Sequence, residues 1–299
     1  MKNSLCLILG HKNLMTGNTY PQIPLSIWIQ LLLLVVFVLN GIPDADAQTT
    51  RQLPDATFIN QENNDSCLLV MVAGLKGKAT WEDFKALIVK DQSLANCDVL
   101  SYDTPQKLDI EEHVDRISTL VQDHSSYKNK IFIGHSIGGF IIKLYTLRQL
   151  ESDSSDDTAL AKATFPDLIL TYGTPLDTDS FSISFLKRAG ARVFWPFVSP
   201  LRKEVFSFEQ LQRINQRWRA VIKQKLVRHV NVFGIEDEIA PANIEEQSPV
   251  TVFIKGDHVG ILAADRLDAC PYLILRTIVS DPDADLSQLD CVISMQTIQ

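Results

Sequence analysis

KIFIGHSIGGF, residues 130–140, predicts a short strand, a turn bracketed by glycines and the first turn of a helix. A serine at the tip of such a turn is held above the carboxyl ends of the strands, with its hydroxyl exposed. Glycines are needed beside it because the turn is strained and its backbone lies too close to its neighbours for a Cβ atom. Ser136 is therefore a candidate nucleophile; the alternative is a plain strand-to-helix turn whose serine has no chemical role.

Strands and helices alternate along the rest of the chain. Continuous apolar runs such as CLLVMVA, residues 67–73, are typical of strands buried on both faces of a parallel sheet. The predicted strands are 67–73, 97–102, 131–134, 167–172, 229–233 and 250–254, and the predicted helices are 80–90, 110–123, 138–150 and 270–279. Together they predict an α/β fold, with a mostly parallel, doubly wound sheet covered by helices on both faces.

Composition sets the outer limits of function. A chain of 299 residues is long enough for one large α/β domain or two small ones, and its 45% hydrophobic content supports a substantial core. Its net charge of −8 and its pI near 5.3 supply no basic footprint, so we predict no nucleic-acid partner.

Residues 177–226 differ in composition from the alternating segments around them. Their first half is rich in large apolar side chains, among them Phe181, Phe185, Trp195 and Phe197, and a basic helix follows. We predict a helical cap insertion at about 177–226, which covers the carboxyl edge of the sheet and shapes an apolar acyl pocket. A structural segment that packs on the core is the alternative.

The first 47 residues are not predicted to be part of the fold. Residues 23–42, IPLSIWIQLLLLVVFVLNGI, are apolar and uncharged, and Ala45-Asp46-Ala47 just after them fits a signal-peptidase site. The apolar segment is also long enough to stay as a membrane anchor. Residues 1–47 are therefore predicted to be a signal peptide or an N-terminal membrane anchor, and residues 48–299 an exported domain, whether secreted, periplasmic or lumenal.

Export would place four cysteines in an oxidising compartment, where disulfides form. Cys67 and Cys97 each open a predicted strand, and Cys270 and Cys291 bracket the last predicted helix. We favour these two pairs, although the sequence alone allows three pairings and also allows free buried thiols. Their spacing matches no metal site, so no metal is predicted.

A serine nucleophile needs a base, and the position of each histidine decides which one can serve. His113 and His124 lie on or beside the helix before the serine strand, and His229 opens a strand at the opposite edge. His135 lies within the turn, and its side chain points away from the serine hydroxyl. His258 alone follows a late strand at the carboxyl edge, so it is the predicted base.

The base needs an acid that fixes its tautomer. Asp237 directly follows a predicted strand at the same edge of the sheet, so it is the predicted acid. Its neighbours Glu236 and Glu238 could replace it, and Asp177 or Asp179, after an earlier strand, are the other candidates.

Backbone N–H groups must bind the oxyanion that forms during acyl transfer. One is expected from Ile137, at the start of the helix after the serine, where the helix dipole adds positive potential. The other is expected from the loop after the first long strand, residues 73–77, with Leu75 as the donor.

With these residues assembled, the chain resembles the α/β-hydrolase superfamily, in its serine lipase and esterase branch. Residues 134–139, GHSIGG, are similar to the nucleophile motif of the family, and Asp237 and His258 match the late acid and base. The resemblance covers roughly residues 66–279. It implies the α/β-hydrolase fold and serine-dependent acyl chemistry.

Two further segments resemble lipase-like members related to the GPI inositol-deacylase group. Residues 72–75, VAGL, with Trp81 downstream, are similar to the oxyanion loop of that group, and residues 173–175, GTP, are similar to one of its turns. Ala73 and Leu176 stand where that group commonly has histidine.

The leading hypothesis is a hydrolase of carboxylic esters, acting on apolar or lipid-like substrates. An acyltransferase or thioesterase would use the same residues with another acceptor or leaving group. A binding protein that has lost turnover is the non-enzymatic alternative. None of these activities requires an organic cofactor, so none is predicted, and residues 23–42 give the only predicted association with a membrane.

Overall fold

In the computed structural model, the apolar runs of the sequence assemble into one sheet. The structure describes residues 49–53, 55–61, 65–74, 80–105, 108–152, 163–175, 208–238, 240 and 250–297. All of them belong to one unit, Gln48–Gln299. The predicted signal or anchor segment, residues 1–47, lies outside the described residues.

Nine strands make up the sheet within the described part of the chain. They are β1 (Thr49–Leu53), β2 (Ala56–Asn60), β3 (Cys67–Val72), β4 (Cys97–Tyr102), β5 (Asn129–His135), β6 (Leu168–Tyr172), β7 (Arg228–Gly234), β8 (Val250–Ile254) and β9 (Val292–Thr297). Their order across the sheet is β1-β2-β4-β3-β5-β6-β7-β8-β9. The six central strands, β4, β3, β5, β6, β7 and β8, are parallel to one another, whereas the pairs β1–β2, β2–β4 and β8–β9 are antiparallel.

Helices cover both faces of this sheet. They are α1 (Glu82–Ile88), α2 (Ile110–Gln122), α3 (Ile137–Ser152), α4 (Phe208–Lys223) and α5 (Cys270–Ser280). Alternate side chains of β3 enter two different cores, because successive residues of a strand point to opposite faces. Leu69 and Met71 pack with α1 and α5, whereas Val70 and Val72 pack with α2, α3 and α4. The predicted doubly wound α/β architecture is therefore present.

All six predicted strands form, and they are the central parallel strands β3 to β8. The three strands that were not predicted, β1, β2 and β9, pair antiparallel with their neighbours; β1 and β9 are the edge strands, and β2 lies between β1 and β4. The four predicted helices correspond to α1, α2, α3 and α5, with ends within two residues of those expected. No helix within the described ranges combines the length and apolar character needed to cross a bilayer.

The basic half of the predicted cap belongs to the helical layer instead. Helix α4 buries Leu211, Ile214, Trp218 and Val221 in the same core as α2 and α3. These side chains recur every three or four residues and form one apolar stripe, which packs against the sheet layer rather than over its carboxyl edge. The cap prediction is therefore wrong for α4, and the alternative of a segment that packs on the core holds there. The apolar half of the insertion, up to residue 207, lies outside the described residues.

A polar cluster lies inside the layer formed by α3 and α4. The Lys143 ammonium donates to Asn215 Oδ1 over 3.2 Å. The Trp218 indole N–H donates to His229 Nδ1 over 3.1 Å, and His229 Nε2 lies 3.2 Å from Thr171 Oγ1. All five side chains are buried.

Both favoured disulfides are present. One joins Cys67 to Cys97, which are register partners at the first positions of β3 and β4. The other joins Cys270, the first residue of α5, to Cys291, the residue before β9. The second bond therefore fastens the last strand to the helix that precedes it.

Candidate active site

Ser136 lies in a strained turn between strand and helix. It is the single residue between β5 and α3, and its φ of 53° is a left-handed value that residues with a Cβ atom rarely adopt. The Ser136 N–H donates to the carbonyl of Tyr172 at the end of β6, over 3.0 Å. The Ser136 carbonyl accepts from the Gly139 N–H over 3.1 Å and from the Thr174 hydroxyl over 3.0 Å. These bonds hold the turn above the carboxyl ends of β5 and β6.

The glycine after this turn allows helix and sheet to approach closely. A Cβ atom on Gly138 would lie 2.3 Å from the carbonyl oxygen of Val72 and 2.7 Å from that of Ala73. Real Cβ atoms do not come so close to backbone oxygen, so any side chain here would push α3 away from the end of β3. The local sequence thus fixes both the strain at the serine and the position of the helix that begins beside it.

His258 lies in the loop after β8 and reaches the serine. Its Nε2 atom is 3.0 Å from Ser136 Oγ, although the two residues are 122 positions apart in the sequence. The loop is shaped by Asp257, whose Oδ1 atom accepts from the N–H groups of Val259 and Gly260 over 3.1 and 2.7 Å. His258 is buried, whereas the serine is half-buried and open to the carboxyl edge.

Asp237 completes a hydrogen-bonded chain of three side chains. Its Oδ2 atom is 2.9 Å from His258 Nδ1, and its Oδ1 atom accepts from the Ala240 N–H over 2.8 Å. The carboxylate is fully shielded from solvent, whereas the side chains of Glu236 and Glu238 are exposed. The structure therefore brings Asp237, and not its two neighbours, to the base. Residues 177 and 179, the other candidate acids, lie outside the described residues.

The loops that carry the acid and the base are joined to each other. Ile235 N–H donates to the carbonyl of Ile254 over 3.0 Å, and Glu236 N–H donates to that of Gly256 over 3.1 Å. These bonds extend the ladder between β7 and β8 beyond the ends of the strands. The distance between Asp237 and His258 is therefore set by the sheet itself.

Of the two expected oxyanion donors, the structure describes Ile137 but not Leu75. Ile137 is the first residue of α3 and directly follows the serine, so its N–H belongs to the first turn of the helix, where N–H groups have no intrahelical acceptor. The positive end of the helix dipole lies at the same place. Leu75 lies outside the described residues, and its role stays a prediction.

Burial and bonding explain why three other histidines are structural. His113 is buried and lies 2.8 Å from the Tyr102 hydroxyl, and burial lowers its pKa to about 4. His229 is held in the cluster between α3 and α4, where burial and the nearby Lys143 ammonium lower its pKa well below the usual value. The Nδ1 atom of His124 lies 2.7 Å from the carbonyl oxygen of Leu120, within hydrogen-bond distance.

His135 makes a contact that sequence reasoning missed. Its Nε2 atom lies 3.0 Å from the carbonyl oxygen of His258, and the two imidazole rings are 4.9 Å apart. The sequence shows that His135 faces away from the serine hydroxyl but not what it faces, because His258 is 123 residues further along. The sequence offers one signal for this contact: the loop that carries His258 must lie over the turn that carries Ser136 for His258 to reach the serine.

The described part of the chain shows no metal centre. Within the described ranges, no group of three or more His, Cys, Asp or Glu side chains is arranged to hold a metal ion.

The fold matches that of known hydrolases, although sequence comparison finds no relative. No protein-family model matches the chain, and no curated protein is similar to it. Among solved structures, MGS-MChE2, an alpha/beta hydrolase enzyme from the metagenome of sediments of the lagoon of Mar Chica, Morocco, is 13% identical with a TM-score of 0.52. The match covers 79% of this chain and all of that one. A candidate lipase from Acinetobacter baumannii AYE is 13% identical with a TM-score of 0.50, and its match covers 90% of this chain and 100% of that chain.

These comparisons establish the fold. The chain has the α/β-hydrolase fold, so the resemblance drawn from the nucleophile motif is confirmed at that level. At such low identity the likeness shows the architecture alone. A shared fold does not determine the chemistry of a site, which depends on the particular residues that form it.

Proposed function

We propose that this chain is a serine hydrolase that cleaves carboxylic esters through an acyl-enzyme intermediate. The observation that carries the proposal is the continuous chain from Asp237 to His258 to Ser136, with contacts of 2.9 and 3.0 Å. A serine hydroxyl becomes a useful nucleophile only when a base takes its proton, and the base acts well only when an acid orients it. The three side chains have the order and spacing that a nucleophile, a base and an orienting acid require.

The first half of the reaction transfers the acyl group to the enzyme. Ser136 Oγ attacks the carbonyl carbon of the ester while its proton passes to His258 Nε2, and a tetrahedral oxyanion forms. The bond from carbon to the leaving oxygen then breaks, and His258 gives the proton to the departing alcohol. Asp237 stabilises the imidazolium that exists between these two transfers.

The second half releases the acid. His258 takes a proton from water, the hydroxide attacks the acyl carbon, and the bond from that carbon to Ser136 Oγ breaks as the proton returns to the serine. Both tetrahedral species need backbone donors, for which we assign the N–H groups of Ile137 and Leu75. The first is supported by its place at the start of α3, and the second by sequence alone.

We propose apolar or lipid-like esters as substrates. The loops that carry Asp237 and His258 each expose an apolar side chain: Ile235, two residues before Asp237, is 56% exposed, and Val259, next to His258, is 70% exposed. Exposed apolar groups on both of these loops are compatible with substrates that carry hydrocarbon. The apolar composition of the predicted insertion before α4 supports the same class.

We also propose that the domain works outside the cytoplasm. The two disulfides support this, because such bonds persist in oxidising compartments and are rare elsewhere. Whether residues 23–42 anchor the protein to a membrane or are removed is tested by the mass and the membrane fraction of the exported protein.

Labelling with a fluorophosphonate tests the central claim, because such probes react with an activated serine. The full chain should be labelled, and Ser136→Ala and His258→Ala should each abolish labelling. Ser118→Ala and His124→Ala are the matched controls, since both residues lie on or beside α2, and both should be labelled like wild type. Folded wild-type protein that resists the probe would overturn the proposal and favour a binding protein.

Turnover of p-nitrophenyl esters separates the remaining readings. A series from acetyl to palmitoyl esters should show higher kcat/KM for the longer, more apolar chains. Products formed in the presence of an added alcohol distinguish water from alcohol as the acceptor, and a matched thioester tests the leaving group. Asp237→Asn should lower kcat by a factor on the order of 10⁴, whereas Glu236→Gln, on the exposed neighbour, should leave it unchanged.

A further inference from the structure

His135 joins the turn that carries the nucleophile to the loop that carries the base. It is the last residue of β5 and is directly bonded to Ser136 through the peptide chain. Its Nε2 atom lies 3.0 Å from the main-chain carbonyl of His258, and its ring lies against the ring of His258, with centroids 4.9 Å apart. A short path therefore runs from Ser136 through the side chain of His135 to the backbone of His258, and returns through the His258 ring to Ser136 Oγ.

The contacts of His135 define its tautomer. A carbonyl oxygen can only accept, so Nε2 must carry the proton that it donates to His258. The Nδ1 atom is buried and has no hydrogen-bond partner among the described residues, and it faces Gly74, where a Cβ atom would come within 2.9 Å of it. Both observations favour a neutral ring with a bare Nδ1 atom.

Burial keeps this ring neutral through the working range of a hydrolase. Burial first, and the nearby His258 second, lower the pKa of His135 to about 4. The neutral ring matters because His258 becomes an imidazolium during each acyl transfer. A second cation 4.9 Å away would repel that charge, whereas a neutral donor to the carbonyl does not.

We propose that His135 is a positioning residue that fixes His258 over Ser136 by donating from Nε2 to the backbone carbonyl of His258. The inference rests on the proposed function and deepens it. Asp237 positions the ring of His258 through its Nδ1 atom, and His135 positions the main chain of His258 through its carbonyl oxygen. His258 is therefore held at two points. Displacement of a reacting group by about 1 Å can lower a rate by about a hundredfold, so loss of one fastening should be visible in turnover.

Two substitutions of similar size separate bonding from filling of space. His135→Gln places an amide N–H group near the position of Nε2, whereas His135→Leu fills the space without a donor. We expect His135→Leu to lower kcat about tenfold with KM unchanged, and His135→Gln to recover most of the loss at the same Tm. Full activity of the leucine variant, or equal loss in both variants at equal Tm, would overturn the proposal.

A second readout does not depend on activity. In protein labelled with ¹⁵N-histidine, at neutral pH, the Nδ1 signal of His135 should have the shift of an unprotonated nitrogen, and the Nε2 proton should exchange slowly with water. A protonated Nδ1, or a rapidly exchanging Nε2 proton, would overturn the assigned bond. Wild-type protein that shows this signature yet resists the fluorophosphonate would contradict the proposed function while the contact itself stands.

Discussion

Replacing Lys143 by methionine should change how the free energy of unfolding depends on pH. Lys143 lies on α3, the helix that begins beside the serine, and its side chain is fully buried. Its ammonium reaches Asn215 Oδ1 over 3.2 Å and lies 5.2 Å from the centre of the Phe140 ring. Burial lowers the pKa of Lys143 from 10.5 to about 7, whereas in the unfolded chain the group is solvated and titrates near 10.5.

The sign and size of the effect follow from these two pKa values. Between them the unfolded chain holds one more proton than the folded protein, so the free energy of unfolding rises by about 1.4 kcal/mol for each pH unit. Over the whole interval, 10.5 − 7 = 3.5, the rise is about 5 kcal/mol. The loss of stability caused by burying the Lys143 ammonium is present in full below pH 7, and it vanishes above the pKa of the unfolded chain. Methionine binds no proton, so this contribution disappears in the variant.

Urea unfolding of both proteins at about pH 7.5, 8.5 and 9.5 measures the effect. The stability advantage of Lys143→Met over wild type should shrink by about 1.4 kcal/mol at each step. Lys128→Met is the matched control, since that side chain is exposed in the loop before β5, and its difference from wild type should stay constant. Parallel pH curves for wild type and Lys143→Met would refute the reasoning, because they would mean that the ammonium keeps access to water when folded.

Other perturbations test the supports of the site. Thr174→Val should lower kcat by a factor of about five, the equivalent of one lost hydrogen bond to the Ser136 carbonyl, whereas Thr174→Ser should retain activity in the ester assay. Gly173→Ala should destabilise the protein by about 1–2 kcal/mol in urea and lower kcat, because φ is 53° there and a Cβ atom would lie 3.1 Å from both the acid and the base. Replacing Cys270 and Cys291 together by alanine should lower the free energy of unfolding by about 3 kcal/mol, while kcat measured well below Tm stays unchanged. A fall in kcat under those conditions would contradict a purely structural role for this disulfide.

The central sheet and the nucleophile turn could be predicted because their signals are local. Apolar runs such as β3, buried at every position, are typical of parallel sheets covered on both faces, and GHSIGG encodes the strained turn in six adjacent residues. The strand β1, with the sequence TTRQL, has no such signal. It becomes a strand because β2 lies beside it and supplies its backbone partners. Edge strands of this kind depend on pairing that a local pattern does not encode.

Contacts between distant segments were predictable only in part. His258 and Asp237 could be chosen because the carboxyl ends of parallel strands share one edge of a sheet. The bond from His135 to the carbonyl of His258 depends on the path of a loop, which no spacing rule gives. Helix α4 shows the same limit. The spacing of its apolar residues shows that one face is buried, but the same spacing is expected whether the helix packs in a cap or in the layer on the sheet.

The separation of Ser136 from its partners along the chain has a consequence for biosynthesis. Ser136 precedes His258 by 122 residues, and Asp237 and His258 follow β7 and β8, the last two parallel strands in the described part of the chain. A nascent chain therefore contains its serine long before any group can take the proton from it, and an unassisted hydroxyl is a weak nucleophile. In the proposed mechanism, proton transfer from Ser136 can begin only once β8 has joined the sheet and brought His258 to the serine. Under the proposed mechanism, the order of synthesis thus keeps the incomplete chain inert toward esters.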